Sequence, residues 1–516
     1  MRRWPERSPL HPFLLATYPV LALLASNLGQ VRPGIANRAL IVSILLGGMT
    51  VLGFRALLRD WPRAALLASW GLLLFYSYGH VYNELRSVQV MGTVLGRHRF
   101  LLSAWALLGL GGAWLILRRP AAPEWLTAML NFGLLLAIAI PIGKILLSGV
   151  GPVAASTKAG VNAMELTGLQ APADRPPPDI YFIILDAYAR ADTLRDQFDF
   201  DNGAFLDALS EMGFYVAECS QSNYAQTELS LAATLNMQYL SDLIDESIQG
   251  EAARAQLWPL IRHSAVRLLL EGLGYRTVAF ETGYYWTEWE DADVYLAPQR
   301  GLFAGMSAFE GTLLRSTAAW ALIDALPVLP PFLQRDLDRS TDAHRDRLLY
   351  VLDQLGRTPE IPGPKFVFAH IVSPHRPFVF DAEGNPVDDE YTWTHSNLGL
   401  DAYREGYRQQ VAYLNSRMVS ILRGIVEGSN GQAVIIMQGD HGPEEGSSQD
   451  RMRNLDVIHL PGGDSPTLYP SISPVNAMRI ALNDALDARL PLAEDISRFS
   501  TYEAPFDYSQ IASECQ

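Results

Sequence analysis

The sequence predicts an α-helical membrane domain of five transmembrane helices, followed by an α/β domain with a largely parallel central sheet between helices. Three observations predict this fold class. Five apolar stretches of membrane-spanning length occupy the first 150 residues. The sign of the net charge reverses where these stretches end. From residue 179 onward, short apolar runs alternate with longer stretches of helical period, which is typical of a layered α/β domain.

Composition excludes several classes of protein. Hydrophobic residues make up 49% of the 516 residues and charged residues 18%, against roughly 25% charge in soluble globular chains. A disordered, collagenous or disulfide-dense chain is therefore excluded. Residues 1–150 carry fourteen Arg and Lys against four Asp and Glu, a formal charge of +10, whereas the remainder carries −25. Because binding to a phosphate backbone needs clustered Lys and Arg, we expect no nucleic-acid partner for the acidic segment.

The five predicted spans make up most of the net-positive segment, residues 1–150. A buried helix of a soluble protein would explain one such run but not five, and a cleavable signal peptide would explain only the first. With the N-terminus inside, the inner loops hold eight Arg and the outer loops five, which is the bias expected for this orientation. The sequence thus predicts a multi-pass protein of the cell (inner) membrane with a cytoplasmic N-terminus and an extracytoplasmic C-terminal domain. The spans lie near residues 12–28, 37–58, 62–82, 99–117 and 125–149.

Residues 151–178 are predicted to be a Pro-rich linker between the transmembrane domain, 1–150, and the extracytoplasmic domain, 179–516. The linker ends in three consecutive prolines at 176–178, a stiff segment that a helix cannot cross. The two cysteines, Cys219 and Cys515, both follow the linker. They either form one disulfide or remain as two free thiols.

Five apolar runs of the second domain are predicted strands, and six stretches are predicted helices. The strands are buried on both faces, because their apolar runs are nearly continuous. They lie at residues 180–185, 277–280, 366–371, 433–437 and 457–460, and the helices lie around 202–212, 228–237, 263–273, 341–356, 401–426 and 474–486.

Candidate metal ligands follow two of these strands. The first strand ends in Asp186, and the fourth is followed by Asp440-His441-Gly442. In an open α/β sheet, ligands bind outside the carboxyl ends of the strands, so these three side chains are expected at one edge. Carboxylates with an imidazole suit Zn²⁺ or Mn²⁺. The alternative for Asp186 alone is a turn or helix-capping residue.

A candidate nucleophile lies where a polar loop turns into a helix. Thr227 stands where a helix N-cap would, within Ser222–Ala232, and that capping role is its structural alternative. The free N–H groups and positive dipole end of a helix N-terminus also favour phosphate or sulfate. A hydroxyl at this position is suited to attack a bound ester if a metal lowers its pKa.

Three further residues are candidates for substrate binding. A strand runs into the loop Ser373-Pro374-His375-Arg376-Pro377, whose prolines fix His375 for substrate contact. His370, within that strand, is the second candidate, and its alternative is a core residue or a support for a metal ligand. Arg451, soon after Asp440-His441, is the third, and a solvated basic side chain is its alternative.

Taken together, these motifs resemble the alkaline-phosphatase superfamily in its sulfatase-like branch. Five spans followed by such a domain look like the membrane-anchored lipoteichoic acid synthase and phosphoglycerol or phosphoethanolamine transferase group. The resemblance covers roughly residues 179–485 by motif and the whole chain by layout. It implies that Asp186, Thr227, Asp440 and His441 bind a divalent metal ion, that Thr227 is the nucleophile, and that His375 contacts the anionic group of the substrate.

The chain departs from the family pattern at two places. Formylglycine sulfatases carry Cys or Ser at the nucleophile, and Thr227 cannot become formylglycine, so sulfatase chemistry of that kind is not expected. The lipoteichoic acid synthase group typically has Glu at the first ligand, where this chain has Asp186. Residues 442–450 contain no His. Glu444 and Glu445 are expected in a solvated loop, and metal ligation is their alternative. The sequence therefore predicts one divalent metal ion, which is Mn²⁺, Mg²⁺ or Zn²⁺.

The resemblance implies a phosphotransferase that moves a phosphorylated headgroup from a phospholipid donor, through a threonine-linked intermediate, to a glycan or lipid acceptor of the cell envelope. A hydrolase of phosphate or sulfate esters is the first alternative, and a membrane-anchored binding protein without catalysis is the second. Two weaker features remain. Residues 284–290 are expected either as a glycan-stacking wall or as an ordinary loop, and residues 312–332 either as an apolar surface against the membrane or as a packed helix.

Overall fold

The computed structural model describes most of the chain, and its helices and strands group into two compact units. The first unit comprises residues 1–151 and 304–340, and the second comprises 152–303 and 341–516. The segment 304–340 thus belongs to the N-terminal unit, which the predicted boundaries of 1–150 and 179–516 do not provide for. Most of the predicted linker, 151–178, lies outside the described residues. The residues that the structure describes are 8–28, 31, 33–85, 89–90, 93–94, 97–118, 124–148, 172, 175–248, 251–298, 307–324, 339–387, 399–463 and 465–513.

Helices make up nearly all of the described part of the first unit. Within those residues, four helices are long and apolar enough to cross a membrane by length and composition, and a fifth apolar helix is shorter, at 16 residues. The helices are α1 (His11–Ser26, the shorter one), α2 (Asn37–Leu58), α3 (Trp61–Leu85), α4 (His98–Arg118) and α5 (Glu124–Ser148), with strands β1 (Gln89–Val90) and β2 (Thr93–Val94) between α3 and α4.

The inserted segment of the first unit contributes two short helices that contact α2 and α3. Their bounds are Ala308–Arg315 and Ala318–Asp324, and they are numbered in chain order below. Glu310 forms an ion pair with Arg38 at the start of α2. The backbone N–H of Gly79 in α3 donates to the carbonyl of Ser316 over 3.0 Å. A Cβ at position 79 would lie 2.2 Å from the Arg315 carbonyl oxygen, so this close approach requires glycine.

The second unit is the predicted α/β domain, and its elements follow the predicted alternation. In chain order, and including the two inserted helices as α13 and α14, they are β3 (Ile180–Leu185), α6 (Ala191–Phe198), α7 (Gly203–Glu211), β4 (Tyr215–Val216), α8 (Thr227–Asn236), α9 (Leu240–Leu243), α10 (Glu251–Ala255), α11 (Leu257–Arg262), α12 (Ala265–Gly272), β5 (Arg276–Phe280), β6 (Val294–Leu296), α13 (Ala308–Arg315), α14 (Ala318–Asp324), α15 (Arg339–Leu355), β7 (Lys365–Ile371), α16 (Leu400–Gly428), β8 (Val434–Gln438), α17 (Ser448–Met452), β9 (Asp456–His459), α18 (Pro474–Leu486), β10 (Ser497–Phe499) and β11 (Ser509–Ile511).

A seven-stranded sheet forms the centre of this unit, in the order β4-β9-β8-β3-β7-β5-β6. The five strands from β8 to β6 are parallel, whereas β9 runs antiparallel to both of its neighbours. All six residues of β3 are buried, because apolar clusters cover both faces of the sheet. Alternate residues of β3 enter opposite clusters: Ile180 and Phe182 enter one, and Tyr181 and Ile183 the other. The fold class is therefore the one that the sequence predicts.

Candidate active site

The topology brings four of the predicted site residues to one edge of the sheet. Strand β3 pairs in parallel with β7 on one side and with β8 on the other. The carboxyl ends of these strands therefore lie side by side. Asp186 follows β3, Asp440 and His441 follow β8, and His370 lies near the end of β7.

Asp186, Asp440 and His441 each offer one ligand atom, and these atoms all lie within 4.8 Å of one another. The three side chains are almost completely buried. Asp186 Oδ1 and Asp440 Oδ2 have no hydrogen-bond partner among the residues that the structure describes. Leaving buried carboxylate oxygens unpaired costs several kcal/mol unless a cation or hydrogen-bond donor compensates. Two carboxylates and an imidazole fit a divalent metal ion of the Zn²⁺ or Mn²⁺ type.

The backbone fixes the proton of His441 on the ring nitrogen that faces away from the carboxylates. Nδ1 lies 2.8 Å from the Gly442 carbonyl oxygen, which only accepts, so Nδ1 donates and Nε2 presents a lone pair. Nε2 lies 3.3 Å from Asp440 Oδ2. Burial lowers the pKa of His441, and the nearby Arg451 lowers it further. A Cβ at position 442 would lie 2.1 Å from the Asp450 carbonyl oxygen, so this turn requires glycine after His441.

Thr227 is the first residue of α8, and its hydroxyl oxygen lies 3.1 Å from His441 Nε2. The prediction that Thr227 is itself the N-cap is wrong, because Gln226 holds that position with extended backbone. Gln226 Nε2 donates to Ser500 and Thr501, which fixes the N-cap side chain outside the helix.

A buried ion pair supports the first turn of α8. Arg254 donates through Nη1 to Glu228 Oε2 over 2.6 Å and through Nη2 to Gln226 Oε1 over 2.6 Å. Trp258 Nε1 donates to the other oxygen of Glu228 over 3.1 Å. These contacts clamp the two residues that flank Thr227. Sequence reasoning missed these contacts, because Arg254 lies in α10, beyond both α8 and α9 in the chain.

His370 contacts a predicted ligand rather than the open part of the site. Its Nε2 lies 3.1 Å from Asp186 Oδ2, and its Nδ1 lies 3.3 Å from the Thr287 hydroxyl. The ring is 1% exposed. The carboxylate only accepts, so Nε2 carries the proton and donates. The contacts of His370 fit a support for Asp186, which is one of its expected roles, and its role in substrate binding stays a prediction.

His375 lies next to the ligand set and forms an ion pair. Its backbone N–H donates to the Asp186 carbonyl over 3.0 Å, and its Nε2 lies 2.8 Å from Glu444 Oε1. Arg376 Nε pairs with the other oxygen of Glu444. Burial lowers the pKa of His375, but the Asp186 and Glu444 carboxylates outweigh it and raise that pKa to about 9.

Glu444 differs from its sequence-based expectation. The side chain is 19% exposed and paired, whereas a solvated loop was predicted. Burial raises its pKa, but the hydrogen bond and charge of His375, with the charges of Arg376 and Arg451, lower it to about 2. Only the neighbouring Glu445 is exposed as expected. No local sequence signal distinguishes the two glutamates.

Arg451 is anchored beside His441. Its Nε donates to the Ala225 carbonyl over 2.8 Å, and its Nη2 lies 3.2 Å from His441 Nε2. The guanidinium thus connects the loop before Thr227 to the predicted metal ligand. Arg451 is therefore not the freely solvated side chain that was its alternative. Its position is compatible with the predicted role of binding an anionic group.

The aromatic segment 284–290 belongs mostly to the core. Trp289 is fully buried and stacks on Phe368 with ring centroids 4.4 Å apart. Trp286 is 6% exposed and lies 6.2 Å from the ring of His370. These two rings therefore cannot form a glycan-stacking wall, and the alternative of an ordinary loop describes them.

No protein-family model matches the chain. No curated protein sequence matches it either. Among solved structures, the chain is similar to the zinc complex of the C-terminal periplasmic domain of EcEptC from Escherichia coli, at 12% identity and a TM-score of 0.41 over 64% of this chain and 92% of that one.

Two further solved structures are similar at the same identity of 12%. The lipoteichoic acid synthase LtaP from Listeria monocytogenes aligns with a TM-score of 0.37 over 65% of this chain and 78% of that one. The integral membrane protein lipooligosaccharide phosphoethanolamine transferase A (EptA) from Neisseria meningitidis aligns with a TM-score of 0.33 over 94% of this chain and 99% of that one. At this similarity, the function of the chain rests on its own residues.

Proposed function

We propose that the chain is a membrane-anchored, metal-dependent phosphotransferase that moves a phosphorylated headgroup from a phospholipid to a glycan or lipid acceptor through a covalent intermediate on Thr227. One observation carries the proposal. The Thr227 hydroxyl lies at a helix N-terminus, 3.1 Å from the lone-pair nitrogen of His441, beside two buried carboxylate oxygens without hydrogen-bond partners in the described part of the chain. This arrangement supplies a nucleophile, a cation site and an anion-favouring helix end in one place.

Asp186, Asp440, His441 and Thr227 are the residues that would hold one divalent metal ion. Such an ion, when bound, lowers the pKa of a coordinated hydroxyl and compensates negative charge on a phosphoryl group. The ion is Mn²⁺, Zn²⁺ or Mg²⁺ by the chemistry of these donors. His370 keeps Asp186 oriented through the 3.1 Å hydrogen bond described above.

In the first step, the Thr227 oxygen attacks the phosphorus of the phospholipid headgroup in line with the bond to the lipid. The new O–P bond forms as the P–O bond to the lipid breaks. The proton of the Thr227 hydroxyl ends on the oxygen of the lipid alcohol, which leaves. The protonated His375, the Arg451 guanidinium and the N–H groups at the start of α8 bind the non-bridging phosphate oxygens, whose charge they stabilise. The product is a phosphothreonine diester.

In the second step, the hydroxyl of a glycan or lipid acceptor attacks the same phosphorus, and Thr227 leaves as the alcohol. This restores the free enzyme, as two-step covalent catalysis requires. Water in place of the acceptor would make the chain a hydrolase with the same residues. The acceptor is therefore the point at which the two activities separate.

Features of the first unit support the proposal that the C-terminal domain lies at the outer face of the membrane. Four helices have the length and composition of membrane spans. The inserted segment 304–340 belongs to the part of the chain predicted to lie outside, and it contacts Arg38 and Gly79. Both residues lie toward ends of α2 and α3 that the Arg bias assigns to the outer face. The insertion and the charge bias therefore agree on one orientation.

The test is mass spectrometry of the peptide that contains Thr227, after incubation of the full-length protein with Mn²⁺ and a mixed phospholipid extract. We expect a covalent adduct whose mass identifies the headgroup, and none in a Thr227→Ala control. Cleavage of phosphate or sulfate esters without an adduct would favour the hydrolase. If neither occurs with Mn²⁺, Zn²⁺ or Mg²⁺, the proposed function is wrong and a binding protein is favoured.

A further inference from the structure

One carboxylate near the candidate active site is surrounded by cationic side chains. Glu444 Oε1 lies 2.8 Å from His375 Nε2, and Glu444 Oε2 pairs with Arg376 Nε. The charge of Arg451 also acts on this carboxylate. A carboxylate bound by an imidazolium and a guanidinium has the same contacts that a phosphate group would make with them. These residues therefore form an anion-binding arrangement that a side chain of the protein already occupies.

The arrangement is continuous with the predicted catalytic residues. The backbone N–H of His375 donates to the carbonyl of Asp186 over 3.0 Å, and Arg451 Nη2 reaches His441 Nε2. Glu444 itself is three residues after His441. A phosphate that binds His375 for reaction at Thr227 would thus meet the position of the Glu444 carboxylate.

The Glu444 side chain is partly exposed, and a glycine with a positive φ follows two residues later in its loop. Side-chain exposure is 19% for Glu444, 20% for His375 and 41% for Arg376, so each side chain keeps some contact with solvent, whereas the Oε2 atom of Glu444 is buried. Gly446 has a φ of +134°, a backbone conformation that other residues rarely adopt. The side chain of Glu444 is held by ion pairs, and it is not part of the buried core.

We infer that Glu444 is an internal occupant of the anion subsite formed by His375 and Arg376, and that the phosphate of the substrate headgroup must displace it to bind. This inference rests on the proposed function for the identity of the headgroup. It gives Glu444 a role in setting affinity and in rejecting weakly charged ligands, since a neutral ligand cannot replace the carboxylate. A residue that only oriented His375 would have the opposite effect on affinity when removed.

The experiment measures binding and not turnover. The full-length protein in detergent, loaded with Mn²⁺, is titrated calorimetrically with inorganic phosphate and, separately, with a short-chain phosphatidylglycerol below its micelle concentration. Glu444→Gln keeps the shape of the side chain and removes its charge. Glu445→Gln makes the same change at the exposed neighbouring position and is the matched control. The unfolding midpoint of each variant checks that its fold is intact.

We expect Glu444→Gln to bind both probes ~10-fold more tightly. The substitution removes the carboxylate charge that competes with the probe for His375 and Arg376, and one such contact corresponds to about a tenfold change in affinity. We expect Glu445→Gln to stay within about twofold, as exposed charges have small effects. Adding Arg376→Gln to Glu444→Gln should reverse the gain, because the same guanidinium would then hold the anion.

Unchanged or weaker binding in Glu444→Gln would overturn the inference and make Glu444 a residue that orients His375. A gain with inorganic phosphate alone would overturn the assignment to the headgroup. The adduct experiment on Thr227 is independent of this measurement. If no adduct forms but Glu444→Gln binds both probes more tightly, the transferase proposal fails and the anion subsite stands.

Discussion

Replacing His370 tests the prediction that Asp186 is a metal ligand. His370 Nε2 donates to Asp186 Oδ2 over 3.1 Å, and both groups are buried. The other oxygen of Asp186 has no hydrogen-bond partner among the described residues and is the one left for a cation. His370→Leu removes the donor and places an apolar side chain of similar size in the buried strand. We expect weaker metal binding, because Asp186 loses the contact that fixes its orientation.

The magnitude follows from the kind of hydrogen bond that is lost. A hydrogen bond to a charged group contributes about 1.5–3 kcal/mol, which corresponds to a ~10- to 150-fold change in affinity. Supports of this kind typically change metal affinity by 10- to 100-fold. His370→Gln retains an N–H donor and should recover part of the loss. Thr287→Val removes only the 3.3 Å contact to Nδ1, so its effect should be smaller than that of His370→Leu.

The assay is competition for Mn²⁺ and for Zn²⁺ between the full-length protein and a chelator of known affinity. The unfolding midpoint without metal is the control for general loss of structure. A variant whose fold is damaged would show a lower midpoint than the wild type even without metal. Equal metal affinity in His370→Leu and the wild type, with an unchanged midpoint, would refute the argument. It would mean that Asp186 either is not a ligand or is held in place without His370.

Two further predictions use other parts of the site, and a third uses a buried histidine, His344. Asp440→Asn should weaken metal binding by at least ~10-fold while it retains the 2.8 Å contact to the Ala187 N–H, and the same chelator competition would show an unchanged affinity if Asp440 is no ligand. Arg451→Lys should raise KM for an anionic headgroup by ~10-fold, since Lys lacks the planar fork that reaches both Ala225 and His441; equal kinetics would contradict the contact. Burial, with the charges of Arg347 and His375, lowers the pKa of His344 from 6.5 to about 3. Below pH 6.5 the unfolded chain therefore takes up a proton that the folded chain does not. The free energy of unfolding consequently decreases as the pH falls. At pH 5 this loss is about 2 kcal/mol relative to pH 7.5, and thermal unfolding of His344→Gln should lack it; parallel pH profiles of the two proteins would disprove the assignment.

The core of the α/β unit was predictable because its strands carry a continuous apolar signal. Strand β3 occupies the predicted residues 180–185, and α18 the predicted residues 474–486. The antiparallel direction of β9 was not predictable, because a short run of apolar residues has the same composition in either direction. The placement of 304–340 in the N-terminal unit was not predictable either. Its attachment depends on pairs such as Arg38 and Glu310, which are far apart in the sequence.

The site was predictable as far as strand ends determine position. Asp186 and Asp440 come together because the carboxyl ends of adjacent parallel strands meet at one edge. The role of Glu444 could not be predicted in the same way. Glu444 and Glu445 are adjacent and chemically identical, and only the loop that brings His375 toward Glu444 distinguishes them. Pairings between loops depend on the folded backbone, so they leave no local pattern in the sequence.

The contacts of His441 explain why these residues form one site. Thr227 Oγ1 lies 3.1 Å from Nε2, and Arg451 Nη2 lies 3.2 Å from the same nitrogen. Because Nδ1 is committed to the Gly442 carbonyl, Nε2 has a single lone pair, which can accept fully from only one of these two donors. The hydroxyl and the guanidinium are therefore both held near an atom that cannot satisfy both of them. The predicted metal ligand His441, the proposed nucleophile Thr227 and the proposed anion-binding Arg451 thus meet at one atom, Nε2. Whichever group binds Nε2, the others are left available for a phosphate.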